Sequence, residues 1–186
     1  AARMVPEKGV LEACRAAAFV LPEVPDWTLH VIGGKRFLDE PPTAYEQQIY
    51  EVLAGLGRQA VHHGFTPYDD VRTHQEQAAI CIVPSLWEEP AGLTVIEALS
   101  AGAALITTNR GGIPETATGR AVIVDISAYL EDSAKLSEIF AHELRSLIIN
   151  EAQRTALQDR AWQDYPFSSK IMSNKADKVR RSVLDA

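Results

Sequence analysis

The stretch PSLWEEPAGLTVIEALSAG, residues 84–102, decides how the whole chain is interpreted. Its first residue, Pro84, ends an apolar run that begins at Ala79. Such a run is typical of a strand buried on both faces. Polar residues and Pro90 then indicate a loop as far as Gly92, after which apolar residues return at helical spacing. The stretch therefore predicts a strand, a tight loop and a helix in direct succession.

The step from loop to helix combines features that favour an anionic, hydroxyl-bearing ligand. Gly92 has no Cβ, so a ligand can approach the backbone closely. The following helix directs unpaired N–H groups and the positive end of its dipole at the loop, which makes a common anion site. Glu89 and Glu97 bracket this opening, and a carboxylate can accept hydrogen bonds from two hydroxyl groups. Phosphate and sugar hydroxyls in one site indicate a nucleotide-sugar.

Composition places the chain among ordinary soluble globular proteins. Its 186 residues suffice for one large domain or two small ones, with 46% hydrophobic and 23% charged residues. A net charge of −7 argues against a nucleic-acid-binding surface, which requires a basic face. Cys14 and Cys81 lie in apolar runs and are predicted to be reduced core residues. No apolar run approaches the roughly 18 residues that a membrane-spanning helix needs.

Predicted strands and helices alternate along the whole chain. Strands are predicted over residues 28–34, 59–65, 79–84, 104–109 and 121–125. Helices are predicted over residues 10–21, 44–56, 68–78, 93–101, 127–149, 151–162 and 168–184. This alternation predicts an α/β fold, with a parallel sheet, helices on both faces and ligands bound outside the carboxyl ends of the strands. The loops at those ends are 2–9, 33–36, 64–69, 84–92 and 107–115.

Five motifs, in order, resemble the C-terminal, donor-binding half of the GT-B glycosyltransferases of the retaining family-four type. They are RMVPEKG, VIGG, HGFTP, the pattern PS-x3-EP-x-GL-x3-EA and GGIPE, which begin at residues 3, 31, 63, 84 and 111. The resemblance covers essentially the whole chain. It implies a Rossmann-like domain over residues 1–165 that binds a nucleotide-sugar, and a helix over residues 166–186 that crosses to a separate N-terminal domain.

The resemblance also implies roles for particular charged residues. Arg3 and Lys8 would hold the donor diphosphate, and two cations on a glycine-ended loop at a sheet's carboxyl edge independently suit an anion. Glu97 would bind the ribose hydroxyls, and Glu89 would contact hydroxyls of the transferred sugar. Arg3, Lys8 and Glu89 are therefore the predicted catalytic residues.

The remaining donor contacts implied by the resemblance are mainly backbone ones. Sugar oxygens and phosphates would meet the N–H groups of Ala91, Gly92, Leu93 and Thr94. The base would contact Phe65 and Thr66.

Three positions depart from the family pattern. Ala91 stands where an aromatic residue is usual, which implies a roomier sugar pocket, and Ala2 stands where glycine is common. Glu88 is a second carboxylate beside Glu89, and either could face the sugar, although the spacing to Glu97 favours Glu89.

Neither a metal nor another cofactor is expected. His62 and His63 are adjacent in a predicted strand and should point to opposite faces, so they are interpreted as structural. No other His, Cys or carboxylate grouping shows metal-ligand spacing. Gly111 and Gly112 are interpreted either as a turn that closes over the site or as a purely structural turn.

The resemblance implies an enzyme, a hexosyltransferase that moves sugar from a UDP-sugar or GDP-sugar to an acceptor with retention of configuration. The acceptor would be bound by the N-terminal domain, as in lipopolysaccharide or exopolysaccharide biosynthesis. The first strand of the present domain is expected before Arg3, so the chain is expected to be a fragment that is inactive alone. The alternatives are a nucleotide-sugar epimerase of the same fold and a non-catalytic nucleotide-binding module.

The last predicted helix is basic. Its cations are Lys170, Lys175, Lys178, Arg180 and Arg181. They are interpreted as a solvated face, as contacts to the N-terminal domain, or as a surface attracted to anionic lipid. The protein is accordingly expected in the cytoplasm, with peripheral association at the inner face of the membrane left open, and with no nucleic-acid partner.

Overall fold

The computed structural model describes residues 1–34, 41–163 and 168–184. Within these residues the strands are β1 (Leu29–Val31), β2 (Ala60–His62), β3 (Ile80–Val83), β4 (Ala104–Thr108) and β5 (Ala121–Val124). The helices are α1 (Val10–Val20), α2 (Ala44–Leu56), α3 (Tyr68–Gln77), α4 (Leu93–Ser100), α5 (Ile113–Ala117), α6 (Ser133–Ile149), α7 (Glu151–Gln163) and α8 (Ser169–Leu184). Short 3-10 turns cover Pro6–Lys8, Leu21–Glu23 and Gly57–Gln59.

All strand pairs are parallel. Strand β2 pairs with β1, and β4 lies between β3 and β5. Parallel neighbours need a crossover, which helices supply here, so the predicted α/β fold class with a Rossmann-like arrangement is confirmed. The carboxyl ends of β3, β4 and β5 consequently lie at one edge, where the central loop (residues 84–92) begins.

The parallel strands form two sheets. Strands β1 and β3 are not hydrogen-bonded to each other, and a cavity of about 460 Å³ lies between them. Residues 28–32 line one side of the cavity, residues 79–84 line the other, and Cys14 and Ala17 of α1 contribute apolar surface. The two sheets are therefore joined by helix packing and by loops.

Several element boundaries differ from the sequence predictions. The strand predicted over residues 59–65 is confined to β2, because a 3-10 turn precedes it and Gly64 has a positive φ of 65°. Helix α6 begins later than predicted because the side chain of Asp132 caps it, accepting the N–H of Lys135 at 2.9 Å. The segment interpreted as a glycine loop leads into helix α5, with Pro114 in its first turn.

Apolar side chains attach the helices to the sheet. Helix α1 packs against α6, and Val20, Leu136 and Phe140 are fully buried in the cluster that also contains Ile106 of β4. Cys14 is buried, as predicted for a core residue, whereas Cys81 is only half-buried; both are free cysteines. Burial raises the pKa of Cys14 to about 12, so this thiol stays protonated at neutral pH.

A second apolar cluster fixes helix α4. Val95, Ala98 and Leu99 are fully buried against Leu105 of β4 and Ile113 of α5. Because this face is anchored, the start of α4 has a defined position at the carboxyl edge of the sheet.

The predicted domain boundary, between residues 165 and 166, lies outside the described residues. The same is true of residues 35 and 36 in the predicted loop 33–36. Across the part of the chain that the structure describes, no helix combines the length and the apolar character that crossing a membrane requires.

Close packing of the first loop (residues 2–9) against β3 leads to a stability prediction. A Cβ on Gly9 would overlap the carbonyl oxygen of Pro84, whereas a Cβ on Gly119 would meet no atom within 4 Å; both glycines have positive φ. Gly119→Ala should therefore cost only the backbone strain of about 1–2 kcal/mol. Gly9→Ala should cost about 1–3 kcal/mol more, because backbone must move. Urea denaturation of both variants measures this difference, and equal losses would contradict the packing.

Candidate functional site

The first loop and the central loop meet at the carboxyl edge of β3. The carbonyl oxygen of Glu7 accepts hydrogen bonds from the N–H groups of Leu86 and Trp87 at 2.9 and 3.1 Å. Gly9 packs directly on the carbonyl of Pro84. This contact brings the predicted cations of the first loop next to the predicted carboxylate of the central loop.

Lys8 and Glu89 form an ion pair at this junction. The Lys8 ammonium donates to Oε1 of Glu89, and both side chains are largely buried, with 24% and 17% exposed. The hydroxyl of Ser85 donates to the same oxygen at 2.8 Å. Since a carboxylate has further acceptor positions, Glu89 can still accept hydrogen bonds from a ligand.

The surroundings keep Glu89 ionised. Burial alone would raise the pKa of this carboxyl group, but hydrogen bonds from Lys8 and Ser85 and the charges of Lys8 and Arg3 outweigh it, so that the pKa is lowered. Arg3 is an exposed residue. The structure thus brings Lys8 into contact with Glu89, and Arg3 acts on this carboxylate through its charge alone.

The neighbouring carboxylate has different partners. Glu88 forms an ion pair with Arg110 and accepts the N–H of Gly111. Of the two candidates left open by the sequence, Glu89 is therefore the one that contacts Lys8, while Glu88 binds the glycine loop (residues 110–115).

The glycine loop lies against the central loop without space for side chains. A Cβ on Gly111 would overlap the carbonyl oxygen of Glu89, and one on Gly112 would overlap that of Pro90. The N–H of Gly112 also donates to the Glu89 carbonyl at 2.6 Å. This packing supports the interpretation of Gly111 and Gly112 as a structural turn. The turn also holds the backbone on both sides of the Glu89 side chain.

Helix α4 begins immediately after these contacts. Gly92 is buried, has a φ of +61° and precedes the helix. Its carbonyl accepts the N–H groups of Val95 and Ile96, so those of Leu93 and Thr94 precede the first bonds within the helix and are directed outward from its end. Ala91 and Leu93 are exposed, which leaves this end accessible.

Glu97 lies within α4, about one turn after its start, and is half-buried. Burial raises its pKa. No hydrogen bond or ion pair among the described residues joins Glu97 to Lys8 or Glu89, so the two predicted sugar-binding carboxylates are separate features.

Phe65 and Thr66 lie on the side of the site formed by the β1–β2 sheet. The turn that carries them follows β2, and the N–H of Gly33 donates to the carbonyl of Gly64 at 2.7 Å. Phe65 is 63% exposed, and the Thr66 hydroxyl donates to the Gly64 carbonyl at 3.3 Å. These two residues are thus at the same carboxyl edge, beside β1 rather than β3.

Three histidines that the sequence pattern does not indicate as a group lie close together in the structure. Nδ1 of His30 and Nε2 of His63 lie 2.9 Å apart, and the rings of His63 and His74 have centroids 4.3 Å apart. His62 points away and contacts the carbonyl of Gly33 at 3.0 Å, as expected for opposite faces of a strand. The parallel register of β1 and β2 brings His30 and His63 together, and the packing of α3 adds His74; spacing along the sequence shows neither.

The family comparison covers most of the chain. The profile of the family described as Glycosyl transferases group 1 matches residues 1–164. The protein YtcC of Bacillus subtilis strain 168, which carries the name of a glycosyltransferase, is 28% identical over 174 residues. The match includes 94% of this chain and 38% of YtcC. This chain therefore spans less than half the length of that relative.

Solved structures share the fold. Anabaena Alr3699/HepE, in complex with UDP-glucose, superposes with a TM-score of 0.74 at 19% identity, over 97% of this chain and 47% of that one. The C-terminal domain of LpcC from Francisella tularensis, a glycosyl transferase group 1 family protein, superposes with a TM-score of 0.69 at 24% identity. That match includes 90% of this chain and 82% of the LpcC chain.

The Lys8–Glu89 contact predicts a change in pKa. Lys8→Met should raise the pKa of Glu89, because it removes a hydrogen bond and a charge but leaves the burial. Lys135→Met removes a lysine whose partner is the exposed Glu138, and it should leave Glu89 unchanged. Carboxyl-carbon NMR titration measures the pKa in each protein.

The pH dependence of the free energy of unfolding should change together with the pKa of Glu89. A carboxyl group whose pKa is lowered by folding adds stability above its unfolded pKa and loses it as the pH falls through the folded value. The Lys8→Met variant should therefore lose less stability on acidification than the unmodified chain. An unchanged Glu89 pKa in Lys8→Met would contradict the assigned contact.

Proposed function

The chain belongs to the Glycosyl transferases group 1 family, and we propose that it is the nucleotide-sugar-binding domain of a retaining glycosyltransferase. The observation that carries the proposal is the Lys8–Glu89 pair, with Arg3 nearby, on the central loop that leads into α4. Cations, outward-directed N–H groups and an ionised carboxylate are the groups that a sugar diphosphate needs.

The diphosphate would be bound by Arg3, Lys8 and the first N–H groups of α4. An ammonium group has three donors, so Lys8 can keep its bond to Glu89 while it donates to a phosphate oxygen. The two cations also offset the repulsion that the Glu89 carboxylate would exert on a phosphate group. The start of α4 adds the favourable end of a helix dipole.

Sugar and nucleoside would be bound on either side of the diphosphate. The ionised Glu89, with the backbone of Ala91 and Gly92, would accept and donate hydrogen bonds at the transferred sugar. Glu97 would accept the ribose hydroxyls. The turn with Phe65 and Thr66 would contact the base, in agreement with its position beside β1 at the same edge.

Catalysis would consist of stabilising the charge that develops on the leaving diphosphate. Lys8 is held by Glu89 and the start of α4 is anchored by its buried face, so little reorganisation is needed as that charge grows; Arg3 would add its charge from the same loop. Arg3, Lys8 and the start of α4 would supply the positive charge without a metal ion. The sugar would be transferred with retention of configuration.

The acceptor would be bound by a second domain. The chain spans less than half of YtcC, so donor binding without turnover is the expected property of this chain alone. We propose that the acceptor is an intermediate of lipopolysaccharide or exopolysaccharide synthesis and that the enzyme acts in the cytoplasm. Helix α8 would contact the second domain or anionic lipid. The donor is a UDP-sugar or a GDP-sugar, and the backbone contacts to the base leave both open.

Donor binding predicts a specific effect at Glu97. Glu97→Gln should weaken binding by about 10- to 100-fold, because hydrogen bonds to charged groups contribute roughly 1.5–3 kcal/mol. Glu138→Gln, at an exposed residue of α6, should leave the affinity unchanged. Calorimetry with UDP-glucose and with GDP-mannose measures the donor affinity of both variants. The donor that binds more tightly identifies the base.

The pH dependence provides a second readout of the same role. Affinity of the unmodified chain should fall as the pH drops through the raised pKa of Glu97, and Glu97→Gln should lack this decrease. Equal affinities of the unmodified chain and Glu97→Gln would remove Glu97 from the site.

Catalysis is tested in a protein that contains both domains. Lys8→Ala should lower kcat by about two to three orders of magnitude, as expected for loss of one group that stabilises developing charge. Lys135→Ala is the matched surface control. Wild-type turnover of Lys8→Ala would contradict the mechanism, and NMR of the product's anomeric proton would test retention.

A further inference from the structure

We propose that His30, His63 and His74 form a binding site for a divalent transition-metal cation, with Zn²⁺ the best match. Among the described residues these histidines offer ligand nitrogens that all lie within 4.8 Å of one another. The site is distinct from the proposed donor site, so the inference does not depend on glycosyl transfer.

The geometry is close to that of a three-histidine site. Zinc binds imidazole nitrogens at about 2.0–2.1 Å in tetrahedral sites, which places ligand nitrogens roughly 3.4 Å apart. Nitrogens of His30 and His63 are 2.9 Å apart, so a small separation would accommodate a cation between them. The ring of His74 lies beside His63 with an interplanar angle of 50°. Rotations of side chains, without a change of backbone, would complete the site.

The backbone explains why the three rings converge. His30 is paired in register with Val61, and His63 follows two positions later on the same face, with its N–H bonded to the carbonyl of Val31. Helix α3, which follows the turn after β2, supplies His74. Three separate elements therefore contribute one ligand each, an arrangement that the fold maintains without the cation.

The chemistry favours a transition metal over Mg²⁺ or Ca²⁺. The ligand atoms are all imidazole nitrogens, which suit zinc, copper, nickel and iron, whereas magnesium and calcium prefer oxygen ligands. His30 is exposed and His63 and His74 are half-buried, so solvent can reach the cluster and a water molecule can occupy a fourth position. Asp69 and Asp70 add negative charge on the same helix as His74, whereas Glu76 is paired with Arg72.

Binding of a cation would fix the turn after β2. His63 immediately precedes Gly64, and Phe65 and Thr66 follow it. A cation would connect this turn to β1 and to α3 at once, in addition to the backbone bonds from Gly33 to Gly64 and from His63 to Val31. The site would therefore order a segment at the carboxyl edge of the β1–β2 sheet.

The test is zinc titration of the untagged chain by calorimetry in a non-chelating buffer. We expect one Zn²⁺ per chain and at least a tenfold loss of affinity in His74→Gln, since even outer-shell changes weaken metal sites about 10- to 100-fold. His142→Gln is the matched control, because His142 is 79% exposed on α6 and should not affect the affinity. Circular dichroism without metal verifies that each variant is folded.

Failure of the proposal would be clear in either of two results. Absence of zinc binding, or equal affinity in His74→Gln and the unmodified chain, would overturn the site. If His74→Gln does not fold, imidazole NMR of the unmodified chain decides the question. Zinc should shift the ring resonances of His30, His63 and His74 and leave His62 and His142 unaffected; any other distribution of shifts would overturn the proposal.

Discussion

The arrangement of the site depends on backbone hydrogen bonds that attach the first loop to both sheets. On one side, the N–H groups of Ala2 and Met4 donate to the carbonyls of Ile32 and Gly34, just beyond β1. On the other side, the carbonyl of Glu7 accepts two N–H groups of the central loop. Because β1 and β3 are separated by a cavity and do not pair, this loop connects their carboxyl ends directly. The position of every cation in the loop relative to α4 follows from that connection.

Two carboxyl groups show how this arrangement controls charge. Glu89 and Glu97 are the same residue type and both are partly buried, yet their pKa values shift in opposite directions. Cations of the first loop and the hydroxyl of Ser85 offset the burial of Glu89, whereas burial raises the pKa of Glu97. The first loop therefore determines which carboxylate is firmly ionised, and it does so through Lys8, whose position is fixed by the close packing of Gly9 on the end of β3.

Sequence reasoning predicted the elements well and their extent less well. Alternating apolar runs and glycine-ended loops are sufficient to predict the parallel α/β fold, since each strand is short and followed by a helix. The sequence does not predict α5 within the glycine loop, because a five-residue helix is too short for a periodic pattern. The sequence alone does not assign the partners of Glu88 and Glu89. The two carboxylates are adjacent, and they differ only in the loop that each one contacts in the folded chain. The histidine cluster depends on strand register, which spacing along one chain does not contain.

The two sides of the candidate site are held in different ways, and this bears on specificity. Beside β3, glycines pack against backbone and ion pairs connect three loops, so the groups around Glu89 have fixed positions. Beside β1, the contacts of the turn with Phe65 and Thr66 include a backbone bond from Gly33 and the contacts of His63. If the base is recognised through backbone atoms of that turn, the identity of its side chains matters less than its position. Whatever fixes the turn, including a cation at the histidines, would then influence the nucleoside end of the ligand and leave the diphosphate end unchanged.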